Sequence, residues 1–371
     1  MATHSLRPAH ALAAILAVVG LGLLSACGQP ATSGSAQPAA SSGWVDQPVS
    51  FQAGGLTVYA TFRHPAAPAT SRRPVPAVLL IAGSGPTDRN GNSPLIPGPV
   101  DTLKQLADWL SADGVASLRY DKLGSGQTGL GPYANRPAAI GIAPFEQEAA
   151  AALRFLAAQP GIDRSRLGVI GHSEGALYAL LLATGADPGE GPVPPIHALG
   201  LLEPLSERYL DIIADQVGAI ISADQQAGRI TAAQASTITL ALTRAIAMLR
   251  STGTVAPNLP GGLSNILNPD TALYLSQADR YDPAQLAAHL TPGLPVLVTC
   301  SNADLQVTCG EVHHLLAGLA QAQADTDFVL LTGVDHVLKQ DPTGSAANYD
   351  KPLPFSPQLE QALRLFVERY L

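Results

Sequence analysis

The sequence predicts an α/β fold: a mostly parallel sheet with helices on both faces and a helical insertion. Short apolar runs alternate with helical segments along most of the chain, as strand–helix units of a parallel sheet do. Glycine-containing loops follow several of those runs, and the alternation lapses once, over residues 204–290, where only helical patterns occur. At 371 residues the chain has room for one large domain with an insertion. Apolar residues make up 46% of it, which suits a packed core and not a disordered chain. A net charge of −8 lacks the basic footprint of a nucleic-acid binder, so no nucleic-acid partner is expected. The acidic total describes the whole surface and says little about a substrate.

The first 27 residues are expected to lie outside the fold. Arg7 and the amino terminus give a weakly positive start, and residues 11–24 form an unbroken apolar run. That run is short for a membrane-spanning helix and fits the core of a signal peptide. It ends in Leu24-Ser25-Ala26-Cys27 before Gly28, which resembles a bacterial lipobox. Cys27 is therefore the expected lipidation site, which would place the protein on the extracytoplasmic face of a membrane. Cleavage without lipid, giving a secreted chain, is the alternative. Residues 28–44, nearly all small or polar, read as a flexible tether.

The core is expected in two parts, 45–203 and 291–371. Residues 49–62 read as two strands joined at Gly54-Gly55. Strands follow at 76–82, 115–120, 167–171 and 196–202, with helices over 101–112, 145–158 and 175–184 between them. The insertion holds helical stretches at 207–226, 231–250 and 283–290, broken by Pro and Gly at 256–262. Its length and its place inside the alternation favour a cap over one end of the sheet; a second, independent domain is the alternative. Strands resume at 294–300 and 326–331, and helix 356–370 closes the chain. With Cys27 set aside, Cys300 and Cys309 remain. An exported protein meets an oxidising compartment, where they are expected to form a disulfide, with two free thiols as the alternative.

The chemistry centres on Gly171-His172-Ser173-Glu174-Gly175. Gly-x-Ser-x-Gly is weak evidence alone in a glycine-rich chain. Here an apolar strand precedes it and an apolar helix follows, the context a nucleophile elbow requires. The flanking glycines let the backbone turn tightly, and the serine stands at a helix N-terminus. Ser173 merely capping that helix is the bland reading. Serine needs a base to take its proton, and after an elbow the partners follow in the order acid, then histidine. His336, just past the last strand, has the right order and place among nine histidines. His172 adjoins Ser173, so its side chain is expected to point away. Asp304, behind the strand 294–300, is the expected acid that orients the ring. Asp335 is the competitor, but it is adjacent to His336 in sequence. A Cys300–Cys309 bond would clamp the Asp304 loop. An oxyanion hole needs two backbone N–H donors. Glu174, after the nucleophile, and Ser84, in the loop after strand 76–82, are the candidates.

Residues 76–371 resemble an α/β-hydrolase of the group that holds carboxylesterases and serine-aminopeptidase-like members. The matching segments run from Gly83-Ser84-Gly85-Pro86 through Asn90-Gly91 and from Leu118-Arg119-Tyr120-Asp121-Lys122 to Gly126. Gly171 to Gly175, Asp304-Leu305-Gln306-Val307 and Asp335-His336-Val337-Leu338-Lys339 complete the set. The resemblance implies a triad of Ser173, Asp304 and His336 and a supporting role for the Arg119-Tyr120-Asp121 loop. Ala82 stands where many members carry histidine, which bears on how the oxyanion loop is held. Glu174 has two readings: a solvated carboxylate at a helix start, or a binder of a cationic substrate group.

The expected activity is hydrolysis of a carboxylic ester through an acyl-enzyme on Ser173. The partner is then a small acyl substrate, and neither cofactor nor metal is called for. A peptidase or amidase with the same triad is the nearest alternative, since fold does not decide between them. A non-catalytic binding lipoprotein is the remote one. The small and aliphatic residues of the insertion hint at an apolar acyl pocket.

Overall fold

A computed structural model describes residues 43–71, 73–185 and 191–371. The signal segment, Cys27 and most of the 28–44 tether lie outside the described residues. The strands are β1 (Trp44–Ala53), β2 (Leu56–Pro65), β3 (Val75–Ile81), β4 (Ala116–Tyr120), β5 (Ile162–His172), β6 (Ala198–Leu202), β7 (Pro295–Ser301) and β8 (Asp325–Leu331). They form one sheet in the order β1-β2-β4-β3-β5-β6-β7-β8. β1 and β2 pair antiparallel, as do β2 and β4, and every later pair is parallel.

The first two strands are longer than their apolar residues suggest. The hairpin turns at Gly54 and Gly55, both in the left-handed region. From there the ladder continues out to Trp44 and Pro65, although β1 is mostly exposed beyond Val49. Exposed residues carry no core pattern, so periodicity alone finds only the buried inner part.

The helices are α1 (Thr102–Ala112), α2 (Ala143–Ala157), α3 (Gly175–Ala183), α4 (Tyr209–Gln226), α5 (Ala232–Thr252), α6 (Pro269–Ala278), α7 (Pro283–Ala287), α8 (Cys309–Gln321) and α9 (Pro357–Tyr370). β3 shows how the sheet separates two cores. Ala77, Leu79 and Ile81 face one cluster, packed with α2, α3 and α8. Val78 and Leu80 face the other, with Leu103, Leu106 and Leu110 of α1 and Leu359, Leu363 and Phe366 of α9. This is the period-two alternation of a strand buried on both faces. α3 is apolar all round because it is buried on all sides.

Helices α4 to α7 lie between β6 and β7. Sequence periodicity locates α4, α5 and α7 but not α6. The signal for α6 lies in its cap: Asn268 accepts the N–H groups of Asp270 and Thr271, and Pro269 opens the helix. Asp279 ties this block together. Its buried carboxylate takes Arg208 at 2.8 Å, Arg250 at 2.9 Å and the N–H of Leu210 at 2.9 Å.

Candidate active site

Ser173 sits between β5 and α3 with φ 55, left-handed for a residue with a side chain. Such strain persists only where the surroundings enforce it. Its N–H donates to the Leu202 carbonyl, and its own carbonyl accepts Ala176 and Leu205, each at 3.0 Å. The flanking glycines are required by space. A Cβ on Gly171 would meet the Gly175 carbonyl oxygen at 2.2 Å, and one on Gly175 would meet that of Ile81 at 2.2 Å.

His336 and Asp304 come together from separate loops, with Nδ1 2.7 Å from Oδ2. The Asp304 Oδ1 accepts the N–H groups of Gln306 at 2.7 Å and Val307 at 3.1 Å. Burial alone would raise this carboxyl. The His336 ring and the two N–H donors outweigh burial and hold it below its usual range. An ionised Asp304 keeps the proton on Nδ1, which leaves Nε2 as the basic nitrogen. Asp335 turns elsewhere: it accepts the N–H of Lys339 at 2.8 Å and shapes the loop. Burial lifts its carboxyl to about 6.

The disulfide is present between Cys300, near the end of β7, and Cys309, the first residue of α8. The loop it closes carries Asp304. Ser173 and His336 line a cleft of about 50 Å³ with Gly83, Ser84, Gln306 and Tyr349.

His172 departs from expectation. It lines the same cleft, with Nε2 2.7 Å from the His336 carbonyl oxygen and its ring 5.0 Å from the His336 ring. Successive strand residues leave on opposite faces, and the His336 loop folds over the face His172 takes. Burial pushes its pKa down to about 3, and the His336 ring adds to the effect. It stays neutral and donates Nε2–H to that carbonyl.

Glu174 fits neither sequence reading. Its carboxylate is buried, 2.9 Å from the Lys122 Nζ. It also accepts the hydroxyls of Tyr209, at 3.1 Å, and Tyr274. It is therefore not solvated, and the cation it meets is internal. The Lys122 Nζ also donates to the carbonyl of Gly83. Ser84 belongs to the loop backed against Ser173, since a Cβ on Gly83 would lie 3.1 Å from that of Ser173. Tyr209 is hydrogen-bonded to the Ser84 side chain as well. Lys122, Tyr209 and Tyr274 escaped sequence reading. Lys122 lies inside a quoted motif but has no spacing signal that gives it a role, and the tyrosines carry no motif. Asp121, from the same motif, binds Arg89 at 2.5 Å and joins the loop after β4 to the loop after β3. Among the described residues, no three His, Cys, Asp or Glu side chains converge as metal ligands would.

No protein-family model matches the chain, and no curated protein does. Solved structures do. An acetyl xylan esterase from Paenibacillus sp. R4 is 16% identical with a TM-score of 0.53, over 91% of this chain and 87% of its own. Est1E from Butyrivibrio proteoclasticus, solved with ferulic acid, is 15% identical with a TM-score of 0.52, over 87% and 98%. An esterase from Pyrococcus furiosus is 13% identical with a TM-score of 0.52, over 88% and 92%. The chain thus has the α/β-hydrolase fold, as the order of its motifs implies.

Proposed function

We propose that this protein is a serine hydrolase that cleaves carboxylic esters through an acyl-enzyme on Ser173. One observation carries the reading: a serine held at φ 55 on the strand–helix elbow shares its cleft with a histidine bonded at 2.7 Å to a buried carboxylate. In the proposed reaction His336 Nε2 takes the Ser173 proton as Oγ attacks the acyl carbon. The N–H groups of Ser84 and Glu174 stabilise the resulting oxyanion. His336 then passes the proton to the departing alcohol. Water, activated by the same ring, releases the acid and restores Ser173. Asp304 orients the ring and stabilises its charged form. An amine-directed peptidase is less favoured, because Glu174 is engaged by Lys122 and offers a substrate amine nothing.

We also propose export, with lipidation at Cys27 and a membrane tether. The Cys300–Cys309 disulfide fits an oxidising compartment. A fluorophosphonate probe tests the catalytic reading: wild type is labelled and Ser173→Ala is not. Absence of labelling in both leaves only a binding protein of this fold. A panel of p-nitrophenyl esters and aminoacyl anilides then separates esterase from amidase, with turnover expected on short esters.

A further inference from the structure

We propose that Glu203, just past β6, is a neutral positioning residue that donates its carboxyl hydrogen bond to Asp304 and thereby tunes the basicity of His336. The proposal rests on the triad reading of Asp304 and His336. Glu203 is fully buried and left-handed, with φ 43. Its N–H donates to Thr299 Oγ1 at 3.1 Å, and its Oε2 accepts the N–H of Ser301 at 3.1 Å. Thr299 Oγ1 lies 3.4 Å from Oε1. The side chain is hydrogen-bonded to Asp304.

Two carboxyl groups can share that bond only if one keeps its proton. The surroundings decide which. Asp304 faces the imidazole and accepts two short N–H bonds, so it is the better place for the charge. Glu203 has one N–H and a distant hydroxyl. Burial drives its carboxyl well above the usual range, and the Asp304 charge drives it further. Among the described residues, the titratable groups that interact with Asp304 include His336, His172 and Tyr349. His172 is neutral, and burial holds the Tyr349 hydroxyl neutral as well.

The consequence falls on the base. A donor on Asp304 withdraws part of the charge that would stabilise the imidazolium. The imidazolium of His336 is therefore less stabilised than it would be beside an unpartnered carboxylate. The test compares the rising limb of kcat/KM against pH in wild type, Glu203→Gln and Glu203→Leu. A glutamine keeps both an acceptor for Ser301 and a donor for Asp304, so its limb is expected to stay in place. Glu203→Leu loses the donor, and its limb is expected to move up by about half a unit or more. A downward move in Glu203→Gln means that Glu203 was charged and overturns the proposal. An unmoved limb in Glu203→Leu overturns it too.

If Glu203→Leu does not fold, infrared difference spectra of wild type against Glu203→Gln decide at neutral pH. A lost carboxylic-acid band supports the proposal, and a lost carboxylate band refutes it. The spectra report on the proton whether or not the protein is an esterase. Absent phosphonate labelling is the separate sign that the triad reading itself has failed.

Discussion

Replacing both disulfide cysteines, as Cys300→Ala/Cys309→Ala, is expected to weaken the fold measurably and the catalysis only modestly. The bond spans nine positions and closes a loop of ten residues, counting both cysteines. Releasing a loop of that length returns entropy to the unfolded chain worth about 2.7 kcal/mol at 25 °C in the chain-entropy treatment. Catalysis should suffer less, because the loop has other anchors. Asp304 keeps its bonds to Gln306 and Val307. Thr308 and Glu311 cap α8 reciprocally, so the helix start survives. Urea unfolding of oxidised wild type and of the double variant measures the loss, with the slope m unchanged if only stability moves. The expected kcat/KM on a short p-nitrophenyl ester falls by less than about tenfold, since the transition-state contacts of the triad remain. A stability loss below about 0.5 kcal/mol would refute the entropic account. A hundredfold fall in kcat/KM would show instead that the disulfide, and not the local hydrogen bonds, sets the position of Asp304.

Lys122→Met strands the Glu174 carboxylate in a buried site, so stability should fall by about 3–5 kcal/mol. Adding Glu174→Gln should restore most of that in denaturant titrations. It should not restore kcat, because the Gly83 carbonyl still lacks its donor. Gly175→Ala drives a Cβ into the Ile81 carbonyl, a rigid backbone atom, and should cost at least about 1–3 kcal/mol in thermal or urea unfolding. Glu148, buried on α2, has its carboxyl pushed up to about 8, chiefly by burial. The folded state then holds a proton that the unfolded chain releases near 4.5, so stability falls as pH rises between those values. Glu148→Gln should therefore gain on wild type from pH 5 to pH 8 in urea midpoints, and a constant difference across that range would contradict the assignment.

The parts legible in the sequence were those with a local cause. β3, β6 and residues 167–171 of β5 are apolar because they are buried, and the tight elbow at Ser173 demands glycines on both sides. Asp304 and His336 follow from chain order once that elbow is placed. What sequence did not yield depends on distant partners. Glu174 looks like an ordinary carboxylate at a helix start until Lys122, Tyr209 and Tyr274 arrive from a core loop and two inserted helices. Glu203 looks like a strand end, and the role proposed for it comes from Asp304, about a hundred positions on. His172 was misplaced for a similar reason. Strand alternation predicts which face a side chain takes, but not which loop covers that face.

The two buried clusters beside Ser173 differ in charge, and the difference matches what the proposed mechanism asks of each flank. On the acid side, two carboxyl groups share one proton under the proposal for Glu203, leaving one negative charge opposite the imidazole. That charge favours the imidazolium formed when Ser173 gives up its proton. On the oxyanion side a bare carboxylate at Glu174 would oppose the negative charge that develops on the substrate oxygen. Lys122, 2.9 Å away, cancels it and leaves that flank neutral. The same ammonium holds the Gly83 carbonyl. That carbonyl shares its peptide with the Ser84 N–H, so fixing one end aims the other. Under the proposed mechanism, a single buried cation thus makes an acidic residue tolerable directly after Ser173 and aligns the Ser84 N–H on the opposite loop.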